Sequence, residues 1–166
     1  MSTLSVDTIQ GQTTAANVKL PAGSILQVVT QPFGAQGMTT ASNSYVTTGL
    51  ALTITPKFST SNIHLSLQGG GHYLPSYSAF AYVTIYKGGS NLGGSQGFES
   101  IYTTAAQSNA NDTNFVITPH SLAHIDNAGS TSALTYTLYI KTAGGTYQFQ
   151  NSDRASMLFT AMEISA

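Results

Sequence analysis

Leu134-Thr135-Tyr136-Thr137-Leu138-Tyr139-Ile140-Lys141 decides the fold. Leu134, Tyr136, Leu138 and Ile140 fall on one side of a two-residue period, and Thr135, Thr137, Tyr139 and Lys141 on the other. That is a strand with one face in a core and one in water. No stretch keeps a helical apolar period over three turns. Beyond it, Ala143-Gly144-Gly145-Thr146 turns the chain into Tyr147 to Gln150, and Asn151-Ser152-Asp153-Arg154 turns it again into Met157 to Ile164. Before it, Ile63, Leu65 and Leu67 alternate with His64, Ser66 and Gln68. Gly69-Gly70-Gly71 is expected to break that strand. Phe80 to Lys87 is another strand, and Gly88-Gly89-Ser90-Asn91 after it suits a hairpin turn. Tyr45 to Thr55 alternates as well, with Val46, Leu50, Leu52 and Ile54 on one side. Ser24 to Thr30 is nearly all apolar and is expected to be covered on both faces. Phe98 to Tyr102, Asn114 to Thr118 and, after Pro119, Ser121 to Ile125 complete the set as shorter strands.

Roughly nine strands in one domain predict an all-β fold, an antiparallel two-sheet sandwich of jelly-roll type. The domain is expected over residues 24–166. Residues 1–23 are expected to form an extended N-terminal arm, because Gln10 to Asn17 is polar and Pro21-Ala22-Gly23 is a turn signal.

Only 7% of the 166 residues are charged. An average soluble domain has roughly 25%. Ser, Thr, Asn, Gln and Gly make up nearly half of the chain, so hydroxyls and amides solvate the surface. Five basic and six acidic residues give no basic stripe. That argues against nucleic-acid binding. No apolar run approaches the roughly 18–20 residues that a membrane span needs. Met1 to Asp7 has no signal-peptide pattern. The absence of cysteine excludes disulfides, thiolate metal sites and cysteine nucleophiles.

Chemistry-bearing residues are few. His120 and His124 lie four apart on an expected strand. At about 3.3 Å per residue they stand about 13 Å apart, too far to share one metal. His64 and His72 complete the histidines. All four are read as surface or satisfied sheet residues, the alternative being a metal on a three-fold axis with one His from each subunit. No resident metal or cofactor and no enzymatic activity are expected. Glu99 and Asp126 are the one carboxylate pair considered for glycoside hydrolysis, and no spacing supports it. Asp112 sits in a polar loop, Asn109 to Asn114, without a calcium-binding pattern. No Ser-His-Asp arrangement is read, and Gly93-Gly94-Ser95-Gln96-Gly97 is set aside as a nucleophile turn. The segment around Gly69 to Ser78 is read as a loop presenting aromatics. His72, Tyr73 and Tyr77 there are the candidate surface-contact residues, since rings stack on a partner while small polar neighbours hydrogen-bond. The loops Gly88 to Gly97 and Thr103 to Asn114 are further candidates.

Several segments resemble a known family. They are Leu4-Ser5-Val6-Asp7-Thr8-Ile9-Gln10, then Val18 through Val29, Tyr45-Val46-Thr47-Thr48-Gly49-Leu50, Ile54-Thr55-Pro56, Asn62-Ile63, Tyr136-Thr137-Leu138 and Ala161-Met162-Glu163-Ile164. Their order resembles that of tail-fibre-like virion structural proteins of tailed bacteriophages, of the marine and cyanobacterial type. The resemblance implies a homotrimeric virion protein made in the host cytoplasm, without enzyme motifs. Leu4, Val6, Ile9, Val18 and Leu20 of the arm would anchor it on another tail or capsid protein. The domain would meet a host-surface glycan or protein. A shaft is missing, so a short tail fibre or tail-tip component is expected. The alternative is a capsid decoration or head-fibre protein docked on the shell through the same arm.

Overall fold

A computed structural model describes residues 20–34, 37–74, 79–103, 116–149 and 156–166. Among them are eleven strands: β1 Ile25–Phe33, β2 Met38–Thr40, β3 Val46–Ile54, β4 Asn62–Leu74, β5 Ala79–Lys87, β6 Ser90–Asn91, β7 Glu99–Thr103, β8 Val116–Asn127, β9 Leu134–Ala143, β10 Tyr147–Phe149 and β11 Met157–Ile164. A single 3-10 turn, Gly94–Gln96, lies between β6 and β7. No helix of the described residues is long and apolar enough to cross a membrane.

The strands form two antiparallel sheets, as the alternation predicts. One holds β1, β11 and β4 side by side, with β8 on the far edge of β4, β10 also on β4, and β2 beyond β10. The other runs β3-β9-β5, with β6 and β7 both paired to β5. The long strands pair from the ends of the chain inwards: β1 with β11, β3 with β9, β4 with β8, β5 with β7. Between the sheets, Ile63, Leu65, Leu67, Phe159 and Ala161 of the first share a buried core with Ala81, Val83, Ile85, Tyr136, Leu138 and Ile140 of the second. Burial of each large side chain contributes about 1.5–3 kcal/mol. That burial carries the fold in a chain without disulfides.

Two polar clamps tie loops and sheets together. The buried Glu163 carboxylate of β11 accepts hydrogen bonds from the Lys57 and Phe58 backbone N–H groups at 2.9 and 3.1 Å and from the Gln27 amide at 2.6 Å. Burial pushes this carboxyl up, but the Lys57 N–H and the other donors outweigh it, so its pKa lies below the ordinary value. Asp126 of β8 accepts from Lys87 Nζ at 2.6 Å and from Tyr136 OH at 2.8 Å, both on the opposite sheet. At the start of the described chain, Leu20 is exposed, and its carbonyl accepts a hydrogen bond from Ser165 Oγ.

Three expectations change. Gly69-Gly70-Gly71 does not end a strand; β4 runs through it as a β-bulge. Pro119 does not separate two strands; it lies inside β8. On such an edge strand a missing N–H costs no ladder bond. The apolar segment Ser24 to Thr30 is not covered on both faces. It forms the other edge of its sheet, with Ile25 and Val28 exposed by 55% and 51%. Pro32 lies on that same edge strand, opposite Leu158. The hairpin is as expected: Gly88 and Gly89 both take positive φ, as the tight turn linking Lys87 to Ser90 demands.

Candidate functional site

The bulge builds the site. On β4, Ile63, Leu65 and Leu67 point inward, so strict alternation would send residue 72 outward. Between the pairs Gly69↔His120 and His72↔Thr118, β4 spends one residue more than β8. An extra residue in one strand reverses the alternation beyond it. His72 therefore turns into the interior, where it is 2% exposed. Only glycine fits here. Gly69 and Gly70 have φ of 85° and 61°. A Cβ on Gly69 would lie 2.6 Å from the Ser156 carbonyl oxygen. Glycine alone takes such backbone angles without steric cost.

His72 thereby meets His120 of β8, which is 1% exposed, with ring centroids 3.9 Å apart. The opposite sheet contributes Glu99, the first residue of β7. His120 Nδ1–H donates to Glu99 Oε2 at 2.8 Å, and His72 Nε2 lies 3.2 Å from the same oxygen. The other carboxylate oxygen accepts from the Ser121 N–H. On the far side, His72 Nδ1 shares a 2.6 Å hydrogen bond with the buried hydroxyl of Tyr147, and Phe149 packs 4.5 Å from the His120 ring. His120 Nε2 is buried without a hydrogen-bond partner. The cluster opens at His72 and Glu99 onto a surface cavity of about 560 Å³, whose walls include Phe98, Tyr102 and Thr118.

The electrostatics follow from burial. Burial alone would raise Glu99, yet the hydrogen bonds from His120 and His72 hold its carboxyl at about 2. Burial pushes His72 below the ordinary histidine range, and Glu99 offsets this in part. Burial also lifts Tyr147 well above 10, so it stays a phenol. At neutral pH the site therefore contains a carboxylate beside a neutral His72. Among the described residues both ion-pair partners of Glu99 are histidines. One ligand atom from each of His72, Glu99 and His120 lies within 4.8 Å of the others, the spacing of a cation or proton site.

The residues singled out from sequence fare differently. His72 is not a surface-contact residue: the bulge buries it. Tyr73 is partly exposed on the opposite face of β4. Tyr77, Asp112 and the arm residues Leu4, Val6, Ile9 and Val18 lie outside the described residues. His124 stays with β8 and packs on Phe98 at 4.6 Å. Glu99 and Asp126 do not form a pair. Glu99 touches His120, which lies well along β8 from Asp126. Six residues of strand span about 20 Å. Gly93-Gly94-Ser95-Gln96-Gly97 does match the Gly-x-Ser-x-Gly spacing, but no helix follows it. The Ser95 carbonyl instead accepts hydrogen bonds from Lys141 and Tyr45.

Sequence reasoning missed a second feature. The outer face of the five-stranded sheet is aromatic. Phe80 stacks on Tyr102 at 4.3 Å and on Tyr82 at 5.9 Å, and Tyr86 stacks on Tyr139 at 3.9 Å. Lys141 Nζ sits 4.7 Å from both the Tyr45 and Tyr82 ring centres, linking the two groups. An ammonium over ring faces is attracted by their π-electrons. Phe80 and Tyr102 are 39% and 48% exposed, so the end of this ladder is open to a partner. The signal was present in Phe80, Tyr82 and Tyr86, which share one parity of a strand whose other parity is Ala79, Ala81, Val83 and Ile85.

No family model and no curated protein matches the chain.

Proposed function

We propose that the chain is a phage virion structural protein, a short trimeric tail-fibre or tail-tip component that contributes to host-surface attachment. The strand order carries this reading. With the short β2, β6 and β10 set aside, β1-β11-β4-β8 faces β3-β9-β5-β7. A long hairpin of strands rolled onto itself has this order, the jelly roll of viral capsid and lectin domains. The resemblance of the chain's segments to tail-fibre-like proteins points to the same class.

The two outer faces suit two partners. In the six-stranded sheet, Val28, Met162, His64 and Ile125 form one row across four strands, and Thr30, Thr160, Ser66 and Ala123 the next. Neither row contains an Asp, Glu, Lys or Arg, and Val28 and Ile125 are exposed. A second copy covering this face would bury apolar area without stranding a charge. The aromatic face opposite has rings for stacking on a host glycan or protein.

Gold-tagged antibody on intact virions tests the assignment. Gold at the tail is the expected result. Gold over the head makes the chain a capsid decoration, and virions without gold refute a virion role. Light scattering on the purified chain should give three times the 17.3 kDa chain mass. A stable monomer at micromolar concentration refutes the trimer.

A further inference from the structure

We propose that His72, Glu99 and His120 bind a divalent transition-metal ion, zinc(II) by their donor set, which pins the two sheets together at the cavity end. Two imidazoles and one carboxylate, with a fourth position left to water, are a recurring zinc set. The ion would be held by Nε2 of His72, Oε2 of Glu99 and Nδ1 of His120, the nitrogen that faces the carboxylate.

The distances suit it. Four tetrahedral bonds of about 2.0–2.1 Å place neighbouring donors about 3.4 Å apart. Here the two His–Glu separations are 3.2 and 2.8 Å, each within a few tenths of an ångström of that value, and all three donors lie within 4.8 Å of one another. The supporting contacts are in place too. Tyr147 fixes the far nitrogen of His72, and the Ser121 N–H fixes the second oxygen of Glu99. Such partners orient ligands and raise affinity.

The cluster gathers one carboxylate and two imidazoles, and the described lysines lie elsewhere: Lys57 in the turn between β3 and β4, Lys87 on Asp126, Lys141 between Tyr45 and Tyr82. A carboxylate taken out of water is stabilised by an adjacent cation, and a dication is one that these three donors can share. The cavity at His72 and Glu99 gives a hydrated ion a way in and a place for its remaining water.

The ion would join β4 and β8 of one sheet to β7 of the other. That is a cross-sheet link of the kind a disulfide gives elsewhere, in a chain that has no cysteine.

The test is a calorimetric titration of chelator-stripped, full-length protein with zinc chloride alone, with thermal melts alongside. The expected result is one ion per chain at micromolar or tighter affinity. At saturating zinc the melting temperature should rise by about 5–10 °C. Glu99→Gln and His120→Gln should each weaken binding roughly 100-fold or more, while His64→Ala and His124→Ala leave it unchanged. Should the ligand variants fail to fold, Tyr147→Phe serves in their place, with an expected loss of roughly 10–100-fold. Folded wild-type protein that takes up no zinc at about 100 µM, on the order of a hundred times the expected dissociation constant, overturns the proposal. So does affinity that survives Glu99→Gln or disappears with His124→Ala. The result is independent of where the chain sits in a virion.

Discussion

Replacing Glu163 with Gln should cost the fold about 3 kcal/mol at neutral pH, and the cost should shrink in acid. The carboxylate gathers three donors: the N–H groups of Lys57 and Phe58 and the Gln27 amide. Hydrogen bonds to a charged group contribute about 1.5–3 kcal/mol each, against about 1 for neutral pairs. A Gln side chain turns one acceptor into an NH2 group facing a donor, which loses one bond outright and weakens the other two. With a urea slope of about 1–3 kcal/mol per molar, the unfolding midpoint should fall by roughly 1–3 M. The pH dependence has a definite sign. Because the folded carboxyl titrates below its ordinary value of 4.5, its contribution is complete above that value. It is lost as pH falls through the lower folded value. Urea melts of both proteins at pH 7, 5, 4 and 3 should therefore converge towards the acid end. Parallel curves, with the same gap at pH 3 as at pH 7, would refute the claim that the ionised carboxylate is what stabilises the turn.

Three other outcomes follow from the geometry. Gly69→Ala puts a Cβ 2.6 Å from the Ser156 carbonyl oxygen at a φ of 85°. It should cost about 2 kcal/mol or more and lower the melting temperature by roughly 4–8 °C. Tyr147→Phe leaves His72 Nδ1 buried without its 2.6 Å partner. The cost in chemical denaturation of metal-free protein should be about 1–3 kcal/mol. Phe80→Ala combined with Tyr102→Ala removes half-exposed rings from the outer face. Stability should change by no more than about 1 kcal/mol. If that face contacts the host, virions with both changes should adsorb roughly tenfold more slowly.

The sheets were legible because a two-residue period is local. Leu134 to Lys141 needs no knowledge of its neighbours to declare a strand with one wet face. What escaped depends on pairing. Gly69-Gly70-Gly71 looks like a break, but β11 and β8 flank β4 there and hold the ladder together through a bulge. Pro119 looks like a boundary until β8 is known to be an edge. Ser24 to Thr30 has the composition of a doubly covered strand, yet within one chain Ile25 and Val28 stay exposed. The His72–Glu99–His120 cluster was the least visible. Its members come from three strands of two sheets, and it exists only because the bulge reverses the side His72 faces. Spacing rules for metal ligands find pairs within one turn or loop, and this set has none.

Both long edges of the six-stranded sheet, β1 and β8, carry a proline, Pro32 and Pro119. A proline in a border strand interrupts the row of amide donors that another chain would need in order to add itself side by side. Association through the flat face of this sheet is left open, while growth along its hydrogen-bonding direction at these two edges is hindered. The six-stranded sheet thus has a built-in restraint against stacking into fibrils edge to edge. Replacing either proline would put that restraint at risk before it touched the fold itself.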